Sequence, residues 1–145
     1  MKGLLSRTGK SLAAAIVLAA VLCAGCQQFS KMQAKEKQSE AKINLSAIFT
    51  MQAMFQGERD TYAHTFNEMG WEPSGTHAYT YFLGKDEIQA KKGGPYQLPA
   101  NVKAKVGKEE FLAVAVANID RDDTLDVWTI DHEKNFENLV DDVMK

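Results

Sequence analysis

The sequence predicts an α+β protein in which one long N-terminal helix packs on an antiparallel sheet of three to four strands. Three observations point there. Residues 31–43 contain no Gly or Pro and are rich in Ala, Lys, Glu and Gln, which favour helix. Residues 111–119 (FLAVAVANI) are apolar on both faces and β-prone, as a central strand should be. Residues 125–130 (LDVWTI) alternate in polarity and follow the short polar connection 120–124, which predicts a hairpin with the preceding strand. One helix on one sheet is a stable two-layer solution.

The helix is expected over about residues 30–57. Ser30 and Gln33 have the spacing of a capping box, and Gly57 can adopt the positive φ of a helix stop. Residues 31–56 would span about 39 Å at 1.5 Å per residue. Its two halves differ. Lys31 to Lys42 is polar on nearly every side and is expected in water. From Ala41 onward, Ala41, Leu45, Ile48, Phe49, Gln52 and Phe55 recur at helical spacing, with Ala47, Met51 and Met54 widening the stripe. That half should lie on the sheet, its methionines serving as adaptable filler rather than metal ligands.

After the helix, Thr65 and Glu68 fit a second capping box ahead of Gly70-Trp71. Residues 77–82 (HAYTYF) favour a strand. Residues 84–110, with Gly93-Gly94-Pro95 and Pro99, read as a long exposed loop holding at most one short strand. The sheet region is thus expected at about 76–131. Residues 132–145 form a C-terminal tail in which Phe136, Leu139, Val140 and Val143 have helical spacing.

The N-terminus carries a separate signal. Residues 1–10 are basic and residues 12–25 are uncharged, a signal-peptide arrangement. The apolar run is shorter than the roughly 20 residues that comfortably span a bilayer. It ends in Leu22-Cys23-Ala24-Gly25-Cys26, which resembles a bacterial lipobox, although Cys23 stands where leucine is usual. That resemblance implies cleavage before Cys26 and acylation of its thiol, dividing the chain into residues 1–25 (signal peptide or membrane anchor) and 26–145 (folded domain). More than one acyl chain gives stable attachment. Cys23 and Cys26 are the two cysteines, so cleavage leaves no disulfide framework.

Residues 29–49, above all QAKEKQSEAKINLSAIF, resemble the helix of bacterial type IV pilins of the kind reading QAKSKQSEAKTNLKAI. The similarity continues through Tyr62, Phe66, Gly70-Trp71 and residues 118–131 (NIDRDDTLDVWTID). It implies the pilin fold, a long helix half protruding and half packed on an antiparallel sheet. The departure is N-terminal. Pilins carry a Gly-Phe-Thr-Leu-like cleavage site and a glutamate five residues into the mature chain, which pairs with a neighbour's amine in the filament core. Gly3 and residues 10–14 supply neither the phenylalanine nor the acid.

The full chain has net charge −2, and loss of residues 1–25 removes Lys2, Arg7 and Lys10 but no acid. A mildly acidic domain gives no reason to expect nucleic acid as a partner. His64, His77 and His132 are widely spaced, no G-x-S-x-G elbow occurs, and the glycine pairs lack phosphate-loop spacing. No enzyme and no small-molecule substrate is indicated. Asn118, Asp120, Asp122, Thr124 and Asp126 place an oxygen at every second position, which suits a hard cation such as calcium. Asp123 and Thr129 replace the glycine and glutamate of an EF-hand loop, and a solvated turn with Asx caps accounts for the same residues.

The expected function is therefore a non-enzymatic pilin-like envelope lipoprotein. It would be held to the membrane through Cys26 and have pilus or envelope proteins as partners. Gln27, in place of an aspartate that retains lipoproteins in the inner membrane, leans to the outer membrane. The alternative is a minor type IV pilin or pseudopilin that keeps residues 1–25 and joins a filament.

Overall fold

The computed structural model describes the backbone of residues 5–120 and 122–144, and the side chains of 28–120 and 122–143. Helix α1 spans Leu5–Arg59. The chain divides into two compact units, Met1–Gln33 and Ala34–Lys145. In the first, the helix passes through Ser30 and Gln33, so the expected capping box is not a helix start. Among the described residues, no helix is long and apolar enough to cross a membrane.

In the second unit, the 34–59 part of α1 packs on a six-stranded antiparallel sheet, two strands more than the upper expectation. The strands are β1 (Thr80–Leu83), β2 (Asp86–Ile88), β3 (Lys105–Val106), β4 (Phe111–Ala117), β5 (Asp126–Asp131) and β6 (Phe136–Val140). Their order is β2-β1-β4-β5-β6, with β3 also paired to β4. The central strand is β4, as expected, and it forms the expected hairpin with β5, in which Ala115 faces Trp128 and Ala117 faces Asp126.

The β4 sequence explains its place. Phe111, Ala113, Ala115 and Ala117 alternate with Val114 and Val116, so one face is narrow and the other broad. The alanine face joins the core of Ala34, Ala41, Leu45 and Ile48 from α1, with Tyr79, Tyr81, Leu83, Trp128 and Ile130. Small side chains let the helix approach closely. The valine face forms a second core with Phe82, Val102 and Val127, against which Tyr96, Leu98, Ala104 and Val140 pack. The supposed exposed loop of residues 84–110 thus covers an apolar face, and it contains β2 and β3 rather than one short strand at most.

Other differences have local causes. The helix continues past Gly57 because its stop is Asp60, whose positive φ of 55° lets its N–H reach the Gln56 carbonyl at 2.9 Å. The helix lies on the sheet from Ala34, not from Ala41: Ala34 and Ala41 are both buried, and the polar residues between them bond to the sheet layer. In the tail, Phe136–Val140 alternates in exposure as β6 and pairs with β5 across an irregularity at Val127/Trp128. Among the described residues of the tail, only Asp142–Met144 is helical, as a 3-10 turn. The 65–68 capping box does form, with Glu68 N–H to Thr65 Oγ1 at 3.1 Å and Thr65 N–H to Glu68 Oε2 at 3.2 Å, but it closes a turn and not a helix. The two-residue β1–β2 hairpin needs Gly84, which has φ 59° and whose added Cβ would stand 2.9 Å from the Val106 side chain.

Candidate functional site

Three groups of polar side chains are built into the helix–sheet layer. The first fixes the C-terminal end of the helix. Buried Gln52, in the middle of the apolar stripe, donates through Nε2 to the Ala63 carbonyl at 2.9 Å and accepts the Ala63 N–H at 2.8 Å. Both polar atoms of the amide are used, so its burial costs little.

The second group holds the first sheet strands to the helix. Glu40 accepts the Ala78 N–H at 2.9 Å, and the Tyr81 hydroxyl lies 3.4 Å from Glu40 and 2.7 Å from the Asn44 amide nitrogen. Burial pushes the Tyr81 phenol up, against the pull of Asn44 and with the help of the Glu40 charge.

The third group is the acidic connection between β4 and β5, where the sequence placed a cation. Its five residues separate. Asp126 is fully buried and accepts four hydrogen bonds: Tyr79 Oη and Trp128 Nε1 at 2.6 Å on Oδ2, and Gln38 Nε2 at 3.0 Å and the Asp142 N–H at 3.3 Å on Oδ1. Burial, then the Asp126 charge and hydrogen bond, raise the Tyr79 phenol far above its ordinary range. Asp126 is therefore an internal acceptor rather than a cation ligand. Thr124 donates its N–H to Asp122 Oδ1 at 2.6 Å, and Asn118 Nδ2 donates to the Asp122 carbonyl.

Asp120 and Asp122 do come together, and a residue missed by the sequence reading joins them. Carboxylate oxygens of Asp120, Asp122 and Asp142 lie within 4.8 Å of one another. Asp142 is fully buried. Its Oδ2 accepts the Ile119 N–H at 3.1 Å, while among the described residues no N–H or hydroxyl reaches Oδ1. Burial pushes the Asp142 carboxyl up to about 6, opposed by the Ile119 N–H and reinforced by the Asp120 and Asp122 charges and by a side-chain hydrogen bond with Asp122. Asp142 lies in the C-terminal tail, far along the chain from the acidic connection, and sequence spacing carries no sign that the two meet. Cys26, the expected lipidation site, lies outside the residues whose side chains are described.

The helix residues that bind the sheet fall in a stretch shared with known proteins. The family model of the type IV pilin PilA matches residues 32–93. The type IV major pilin protein PilA of Myxococcus xanthus (strain DK1622) is 39% identical over 94 residues, which cover 63% of this chain and 43% of that protein. The chain is pilin-like. The matched region spans less than half the length of that relative. The long helix on an antiparallel sheet is the α+β pilin fold, and the helix residues of the pilin-like domain that look solvent-facing in sequence, Lys37, Gln38 and Glu40, are the ones that dock it.

Proposed function

We propose that this protein is a non-enzymatic, pilin-like lipoprotein of the bacterial cell envelope. Acylated Cys26 anchors it, and residues 34–145 serve a structural or binding role beside a type IV pilus or a related secretion machine. One observation carries the lipid anchor: the charged start and apolar run end in Leu22-Cys23-Ala24-Gly25-Cys26, without the phenylalanine and glutamate that a filament subunit uses. The similarity to PilA pilins supports the structural role. Gln27 favours the outer membrane as the site of attachment.

The second reading is a minor pilin or pseudopilin that retains residues 1–25 and enters a filament. It is favoured by the extent of α1, which begins at Leu5 and so includes the apolar run in the same helix as Ala34–Arg59. Intact-mass analysis of protein taken from its native membrane separates the two. A diacyl or triacyl chain beginning at Cys26, lost in Cys26→Ala, is the expected result. An unacylated chain that keeps residues 12–25 overturns the lipoprotein reading in favour of the filament subunit.

A further inference from the structure

We infer that Phe29, Lys31 and Met32 form a lipid-interface collar, seated in the headgroup layer of a membrane that carries anionic phospholipids. The contact rests on the proposed reading that the chain is held to a membrane at or before Cys26. It is the same whether acyl chains or a retained helix do the holding.

Two observations carry it, and the first is apolar exposure beside the anchor. Phe29 is 63% exposed and Met32 69%, and they stand three residues apart on α1, so they share one side of the helix. A single exposed apolar side chain is ordinary. Two neighbours at the foot of an anchor are a shared apolar surface. Helix α1 runs unbroken through Cys26, and at 1.5 Å per residue Phe29 lies about 4.5 Å beyond it and Met32 about 9 Å. The headgroup layer on each side of a bilayer is about 5–8 Å deep. The pair therefore begins inside that layer and ends at its outer margin, the depth at which apolar side chains enter the boundary with the acyl chains.

The second observation is charge. All 19 acidic residues of the chain lie at Glu36 or beyond, whereas Lys2, Arg7, Lys10, Lys31 and Lys35 all precede it. From Glu36 onward the chain is net acidic. An anionic lipid surface attracts basic residues beside the anchor and repels the acidic remainder, with a reach of about 8 Å in physiological salt. Lys31 is exposed, and its long stem lets the ammonium reach phosphate while Phe29 and Met32 turn to the apolar side. A protein partner would have to meet these residues at a depth that lipid already fills.

Methionine oxidation tests the contact. The full chain, purified from its native membrane, is placed at low density in phosphatidylcholine vesicles with about 30% phosphatidylglycerol and treated with chloramine-T, an oxidant that stays in water. Peptide mass spectrometry follows Met32 against Met54, which is 57% exposed on the same helix and serves as the internal reference. Met32 is expected to react at least about fivefold more slowly than Met54. Lys31→Glu combined with Lys35→Glu, both at exposed positions, is expected to raise the Met32 rate at least about threefold. Met32 reacting as fast as Met54 overturns the collar, as does a Met32 rate unchanged in the double variant. Protection that grows with the protein-to-lipid ratio also overturns it, in favour of packing between copies. Flotation of the same sample keeps the failures apart: a chain that does not float with the vesicles refutes the membrane anchor and the collar with it, whereas a floating chain with unprotected Met32 refutes the collar alone.

Discussion

Asp126 and Asp142 are both fully buried acids, and one hydrogen bond joins them, from the Asp142 N–H to Asp126 Oδ1. Their oxygens are used differently. Asp126 is filled by four donors drawn from α1, the segment before β1, β5 and the C-terminal turn. Asp142 has one N–H donor on one oxygen and, among the described residues, no N–H or hydroxyl on the other. Burial alone therefore does not say how an acid is used. The count of internal donors does, since a carboxylate filled on both oxygens ties together every segment that donates to it.

Removing the saturated acid should have the largest effect. Asp126→Ala leaves the Tyr79 hydroxyl and the Trp128 indole N–H buried without their acceptor, and a loss of about 3 kcal/mol in urea unfolding is expected. The comparison extends to Gln52, another buried polar group with every bond made. Gln52→Leu keeps the apolar volume but orphans both backbone groups of Ala63, and should cost about 2 kcal/mol by the same measurement.

Asp131 gives the partly exposed version of a filled carboxylate. It accepts the N–H groups of Glu133 and Asn135 and the Asn135 side-chain amide. Burial would raise its pKa, but these hydrogen bonds outweigh it and hold the carboxyl below its ordinary value. Asp131→Ala should cost about 1 kcal/mol at pH 7. Because the folded pKa is depressed, that contribution is complete above the unfolded value and is lost as pH falls through the folded one. Denaturation of wild type and variant at about pH 7 and about pH 3 should therefore show the difference shrinking at the lower pH. The smallest effect belongs to the unsaturated acid. Asp142→Asn keeps an acceptor for the Ile119 N–H and removes a buried charge that faces the Asp120 and Asp122 carboxylates, so it should change stability by less than about 1 kcal/mol. A loss as large as that of Asp126→Ala would erase the distinction.

The legible parts of this protein are the ones written in periodicity. Ala41, Leu45 and Ile48 at helical spacing, and the alternation that puts Trp128 and Ile130 on one face and Val127 on the other, hold in the structure. Local hydrogen bonds such as the Thr65–Glu68 box are legible too, since both partners lie three residues apart. What sequence spacing misplaced was the polar chemistry. Lys37, Gln38 and Glu40 look like a solvated helix face, yet they bond to Ile119, Asp126 and Ala78. Their partners are distant in sequence, and a polar residue's pattern is the same whether it faces water or a backbone group.

The sequence by itself determined a long helix, a central apolar strand with its hairpin partner, and an acid-rich connection between them. Only the tertiary structure decided that residues 84–110 cover the second face of the sheet, and that Phe136–Val140 pairs as an edge strand instead of continuing a helical stripe. It also decided which acids meet. Asp126 points into the helix-covered layer because strand alternation sends it there with Trp128, while β6 carries Asp142 back beside Asp120 and Asp122. Periodicity records which face a residue occupies, whereas the company it keeps there is set by how distant segments pair.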